Sequence, residues 1–331
     1  KEFKGSCTKF KSKDTLMARI TPCLQNGKIS QFISQDNEIA FGSTEFIVFR
    51  EKESISDSSY IYYLVSSDIV KDPAIKSMSG ATGRQRANNE VIANININVP
   101  KIETQRKIAG VLSAYDDLIE NNNKRIKILE EMAQKLYKEW FVDFKFPNHE
   151  NTKFIDSELG KIPDGWGVGK LSCIFDNIRK GTKAGEHLRN KPYVPIDCIP
   201  KQSFSLPDSY NYTEAQSSLI LFKENDVLFG NMRAYFHKVS LAPFDGITRT
   251  TCFVLRNKIS EYFSFSYLTV FREETVAYAS QHSKGATIPY AMWDGGLANM
   301  KIILPSKKVA ESFNKIIAPF FDEVKFLVKK N

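Results

Sequence analysis

Cysteine and histidine are scarce in this 331-residue chain, with five and four copies, and both are scattered. Cys7, Cys23, Cys173, Cys198 and Cys252 are odd in number and form no C-x-x-C pair, so neither a zinc site nor a disulfide framework is supported. No metal and no cofactor is expected. Long apolar runs are missing too: no stretch of 18 apolar residues exists, and the opening KEFKGSCTKFKSK has no hydrophobic signal region. Neither membrane insertion nor export is indicated, and a cytoplasmic location is the simplest expectation.

What the chain does have is a basic excess and a strong hydrophobic periodicity. Its net charge is +8 and its pI is about 9.0, which favours a polyanionic partner. Basic residues outnumber acidic ones by 13 to 11 in residues 1–100, match them nine to nine in 101–150, and exceed them by 18 to 15 in 151–305 and six to three in 306–331. With 42% hydrophobic residues, the length suffices for about two domains, each with its own core.

The periodicity is clearest between Lys101 and Pro147. Alternate steps of four and three from Ile108 reach Leu112, Tyr115, Ile119, Asn122, Ile126, Leu129, Ala133, Leu136 and Trp140, all apolar except Asn122. A 3.5-residue spacing is the mark of a coiled-coil seam, because the apolar line must face a partner helix over many turns. The spacing predicts a helix from Thr104 to Phe141, roughly 55 Å long at 1.5 Å per residue. The pattern returns 205 positions later, where Phe313, Ile317, Phe320 and Val324 stand for Ile108, Leu112, Tyr115 and Ile119, and Leu327 stands for Asn122. A second, pairing helix is therefore expected near the end, kinked, late-starting or cut short by Pro319 and by Asn331 as the last residue. Asn122 reads either as a register-fixing polar residue or as a solvated gap. The Trp140-Phe141 end, with Val142, Phe144 and Phe146, is more apolar than one seam needs, which fits docking onto a partner or packing in an adjacent core.

The rest of the chain also repeats. Residues 1–100 and 170–305 are rich in short β-type runs such as EFIVFR and CFVLR, and Pro and Gly between Phe146 and Leu171 mark a linker. Asp14-Thr-Leu16 matches Asp226-Val-Leu228, Lys28-Ile29 matches Lys238-Val239, and the strand ending at Arg50 matches the one ending at Arg256. Gly80-Ala-Thr82 then matches Gly285-Ala-Thr287, and Val99-Pro100 matches Leu304-Pro305. The offset falls from 212 through 210 and 206 to 205, as insertions in surface loops would produce. A tandem duplication follows, in which the first copy lacks an equivalent of roughly Leu171–Ile220.

SGATGRQ, the I-x-V-P strand and then ETQRKIAGVLSAYDDLIENNNKRIKILEEMAQKLYKEWF, in this domain order, resemble the specificity subunits of type I restriction-modification systems. The resemblance covers essentially the whole chain and is most specific in the long-helix string. It implies an α+β fold with two β-rich target-recognition domains, residues 1–101 and 147–305. It also implies two long antiparallel coiled-coil helices, 102–146 and 306–331, related by a pseudo-two-fold tandem repeat. The implied partners are double-stranded DNA, modification (methyltransferase) subunits at two per chain, and restriction subunits through the complex. No catalysis in this chain is implied.

Several stretches are candidates for touching DNA. The run NIRKGTKAGEHLRNKPY carries Arg179, Lys180, Thr182, Lys183, Arg189 and Lys191, with Gly181 and Gly185 allowing close backbone approach. It reads as a DNA-contacting loop or as a solvated basic loop. Asn231, Arg233 and Tyr235 follow a strand end, where Arg suits guanine and Asn suits adenine. Ser79, Thr82, Arg84, Gln85 and Arg86, with Lys284 and Thr287 in the second copy, suit phosphate contact, and a tight turn shaped for its backbone is the alternative. Arg84 and Arg86 have no cationic counterparts at Pro289 and Ala291.

Two rival classes can be weighed. An enzyme is disfavoured: there is no N/D-P-P-Y/F string or glycine-rich cofactor loop, and PDGWGVGK lacks the carboxylate-x-Lys arrangement of a metal-dependent nuclease. A stand-alone DNA-binding or scaffold protein that self-associates through its coiled coil remains, and dependence on a modification subunit separates it from a specificity subunit.

Overall fold

The computed structural model describes residues 6–35, 38–216 and 218–331. They divide into two compact units, one ending at Leu118 and the other beginning at Ile119.

In the first unit, β1 (Thr15–Ala18) lies between β2 (Ile29–Gln31) and β3 (Phe46–Phe49) in an antiparallel sheet. As the middle strand it buries Met17 fully, directly opposite Ile29 and Ile47. Asp14 enters the strand almost wholly buried, its carboxylate accepting from Lys11 N at 2.8 Å and from Arg50 Nε and Nη2 at 2.7 and 2.6 Å. Burial pushes this carboxyl up, but the Arg50 and Lys11 donors outweigh it and hold the carboxyl below its usual range. Two short helices, α1 (Ser58–Ser66) and α2 (Asp68–Lys76), close the core with Val65, Val70 and Ala74. Asp57 caps α1, accepting from the N–H groups of Ser59 and Tyr60 at 3.1 Å.

The long helix α3 (Ile102–Phe141) has 40 residues. Its first turn is tied to the first unit by fully buried Gln105, which accepts from Asp57 N and donates to the carbonyls of Ile55 and Pro100. Gln105 and Ala109 face inward here, whereas Ile108, Leu112 and Tyr115 are exposed.

In the second unit, β4 (Phe175–Asn177), β5 (Val227–Gly230), β6 (Val239–Leu241) and β7 (Cys252–Asn257) form a sheet in the order β6-β5-β7-β4. The first sheet recurs within it: Met17 opposite Ile29 and Ile47 becomes Phe229 opposite Val239 and Phe253. Asp14 with Arg50 becomes Asp226 with Arg256, again two guanidinium bonds, both 2.7 Å, and a backbone N–H from three residues earlier. The helices recur as α4 (Phe263–Phe271) and α5 (Glu273–Gln281), and α3 recurs as α6 (Lys307–Lys330). Pro319 sits on the exposed side of α6, and the helix runs on past it.

Within this unit α6 lies antiparallel to the later part of α3. Asn122 Nδ2 donates to Asn331 Oδ1 at 2.9 Å, Ile126 packs with Val324 and Leu327, and the Trp140 ring lies 5.4 Å from that of Phe313. Asn122 is 3% exposed and bonded to Asn331, which excludes the solvated gap. The residues at the 205-residue spacing are thus repeat equivalents rather than contacts: Phe313 meets Tyr137, Trp140 and Phe141, not Ile108. Ile119, Leu129 and Leu136 are half-buried, and Ile317 is fully buried. The inward position expected for Phe320 is filled by Phe321, while Phe320 is half-buried beside the same core; Phe313, Ile317, Val324 and Leu327 are buried as the spacing predicts. Trp140, Phe141 and Phe146 join this core with Phe265 and Trp166, which answers the extra apolarity of the helix end by packing. Glu130 turns inward as well; its Oε1 accepts from Ser203 Oγ at 2.8 Å, Phe204 N at 2.6 Å and Ser205 N at 3.3 Å.

Candidate nucleic-acid interface

Both Gly-Ala-Thr segments form the tip of a narrow β-turn structure. Gly80 has φ +126 and Gly285 has φ +102, and a Cβ at either would meet a backbone carbonyl oxygen, of Arg84 at 3.2 Å or Ile288 at 2.8 Å. Only glycine satisfies both demands, so the backbone explains the glycines. The adjoining side chains Ser79, Thr82, Arg84, Lys284 and Thr287 are exposed and Gln85 is half-buried. The returning strand pairs alike in each unit. Thr21 N donates to Gln85 O and Ala87 N to Arg19 O; Arg233 N donates to Pro289 O and Ala291 N to Asn231 O. This register sets Arg86 opposite Tyr290 in the repeat, one residue from the Ala291 expected from sequence, and leaves Arg84 facing Ile288. The absence of cations at the counterparts holds in either register.

In the second unit a cleft of about 930 Å³ opens beside this hairpin. It brings together Arg179, Gly181, Thr182, Lys183 and Asn231 from the expected set. Gly181 and Thr182 form a short strand paired with Ile220 and Leu219, which places the basic run along the cleft rim. Asn231 is buried at the cleft base: Nδ2 donates to Thr250 O at 2.9 Å, while Oδ1 has no partner. Trp293 and Phe253 supply an apolar floor, and Tyr290 lies at its edge. Sequence reasoning missed these three aromatics and also Asp294, whose Oδ2 accepts from Arg179 Nη2 at 2.6 Å. A signal was present, since Asp294 is the sole acidic residue between Lys284 and Met300.

Other expected residues lie outside the cleft lining. Lys180 and Arg189 are exposed, and Lys191 lies 4.0 Å from Asp245. Arg233 and His237 both adopt φ +51, a left-handed conformation uncommon for non-glycine residues, and they bracket a turn that leaves Tyr235 54% exposed. His237 is buried and bonded through Nε2 to Phe271 O at 2.8 Å, and burial lowers its pKa. In the first unit Arg86 is engaged by Glu45 through Nε and Nη2 at 2.7 to 3.0 Å, with Arg19 Nε 3.9 Å from the same carboxylate. Hydrogen bonding from Arg86 lowers the Glu45 pKa, so the carboxylate is held ionised. Among the described residues no helix is long and apolar enough to cross a membrane, and no three His, Cys, Asp or Glu side chains group as metal ligands.

Known proteins match this architecture. The family model described as the type I restriction modification DNA specificity domain matches residues 2–131 and again residues 163–328. The MjaIX type I restriction enzyme specificity subunit of Methanocaldococcus jannaschii is 28% identical over 285 residues, covering 81% of this chain and 63% of that protein. The MjaVIII specificity subunit of the same organism is 32% identical over 134 residues, 40% of this chain and 30% of its own length. The chain therefore spans less than two thirds of either relative. A crystal structure of the type I restriction-modification system S subunit from M. genitalium superposes with a TM-score of 0.56 at 13% identity, over 98% of this chain and 80% of that one, and shares the fold.

Proposed function

Because the chain belongs to the type I restriction-modification DNA specificity family, we propose that it is a sequence-specificity subunit whose two units each read one half of a bipartite, asymmetric DNA target. The observation that carries this reading is the duplicated framework. The same strand pairings, the same arginine bonds to a buried aspartate and the same glycine hairpin recur in both units, while the side chains around the hairpins differ. A shared frame with different reading surfaces is what two different half-sites demand.

In this reading residues 1–101 and 147–305 are the target-recognition domains. Residues 102–146 and 306–331 set the number of base pairs between half-sites and dock two modification (methyltransferase) subunits, through which restriction subunits join. Antiparallel pairing along the Asn122, Ile126 and Trp140 face supports reading these helices as a paired spacer. The cleft beside Arg179 and Asn231 would meet base edges, and exposed Lys180, Lys183 and Arg189 would meet phosphates. Methyl transfer and strand cleavage belong to the partners.

The test is to express the chain with its cognate modification subunit and map methylated bases across a genome. A split, asymmetric motif with a fixed spacer, lost when either protein is omitted, is the expected result. Unaltered methylation without this chain would overturn the reading.

A further inference from the structure

Of the hydrogen-bonded acid–arginine couples among the described residues, four border the repeated sheets and hairpins, and they differ in how they repeat. Asp14–Arg50 and Asp226–Arg256 occupy equivalent places, with the acid almost wholly buried, and so belong to the shared frame. Arg86–Glu45 and Arg179–Asp294 do not repeat. The positions corresponding to Arg86 and Glu45 in the second unit hold Tyr290 and Thr251. In the first unit the arginine rides on the hairpin and the acid precedes β3; in the second the acid follows the hairpin and the arginine follows β4.

Stability does not account for the Arg179–Asp294 couple; Arg86–Glu45 is more enclosed, its side chains 45% and 27% exposed. The side chains of Arg179 and Asp294 are 60% and 72% exposed, and exposed pairs contribute little. A carboxylate on a face offered to a polyanion also repels it, so its presence calls for a task. A guanidinium has five N–H donors in a rigid fork, and one held by a carboxylate keeps others free, already aimed, for O6 and N7 of a guanine. A carboxylate oxygen can accept the N4 amine of the paired cytosine.

Resting on the reading above, we propose that Arg179–Asp294 and Arg86–Glu45 are specificity-determining couples, each reading one G·C pair in its own half of the target. Asp294 and Glu45 are positioning residues for their arginines and acceptors for the cytosine amine. Divergence of the two half-sites then follows from the different wiring of the couples.

The experiment compares Asp294→Asn, Asp294→Glu and Glu45→Gln with the unmodified chain, each in complex with the cognate modification subunit. Bound sequences are selected from randomised duplexes, and melting curves check folding. Asp294→Asn is expected to relax one G·C position in one half, with a roughly ten- to hundredfold loss of discrimination. Glu45→Gln relaxes one position in the other half, Asp294→Glu restores most of the preference, and the spacer is unchanged throughout. An unchanged motif with uniformly tighter binding to every duplex would overturn the proposal, since the carboxylates would then only moderate charge. An unmodified complex that selects no motif would remove the specificity reading itself and this inference with it.

Discussion

Glu130 shows how one side chain joins helix to domain. Burial pushes its carboxyl above the usual value, and the hydrogen bonds from Ser203, Phe204 and Ser205 only partly offset this. A folded-state pKa above the unfolded one means that the folded chain holds the proton longer, so stability falls as pH rises through the window above 4.5. All three donors meet Oε1, which a glutamine also supplies. Glu130→Gln should therefore melt higher than the unmodified chain at pH 7, and the gap should close as pH falls below 4.5, as thermal melts at both pH values would check. A lower melting temperature at pH 7 would mean that the charge itself stabilises the joint. At this scale the sequence was least legible. Asn231 was visible as a base-reading type and Arg179 as part of a basic run, but Asp294, Glu45 and the aromatic cleft floor were not, because the contacts of the two acids span 115 and 41 positions in the chain.

The two long helices were the most legible elements, since apolar spacing over many turns fixes them locally, whereas the nine-residue helices α1, α2, α4 and α5 fall in stretches read as β-rich and were missed. The expected Thr104–Phe141 helix is Ile102–Phe141, and the second helix appears where the 205-residue repeat put it. Which face is buried was less legible. The seam is buried or half-buried from Asn122 to Trp140, where α6 and the globular core cover it, and exposed at Ile108, Leu112 and Tyr115. Gln105 and Ala109 turn a different face to the first unit there, a tertiary demand that a 3.5-residue period does not contain. The two regions should respond differently to mutation. Phe313→Ala, which empties a fully buried site ringed by Tyr137, Trp140 and Phe141, should cost about 3–5 kcal/mol in chemical denaturation. Leu112→Ser should change stability by less than about 0.5 kcal/mol in the isolated chain. Equal costs at the two positions would contradict the burial pattern.

For the whole molecule, the offsets of 212, 210 and 206 read from the sequence correspond to strand pairings that repeat residue for residue, whereas the strand returning from the hairpin, with Gln85 matched to Pro289, is one residue short of the expected 205. Duplication was legible because the residues that build the frame, buried Asp and Arg and a left-handed glycine, have few substitutes. The reading surfaces have many, and so carry no such signature. Under the proposed function, the frame and the side chains that read DNA are separable, each unit serving its own half-site. The most direct measurement is to replace residues 175–300 by the corresponding segment of another member of the family. The motif selected from randomised duplexes by the complex with the modification subunit is then determined. One half of the motif should change while the other half and the spacer stay as they were. A change in both halves, or a motif identical to that of the unmodified chain, would contradict the account.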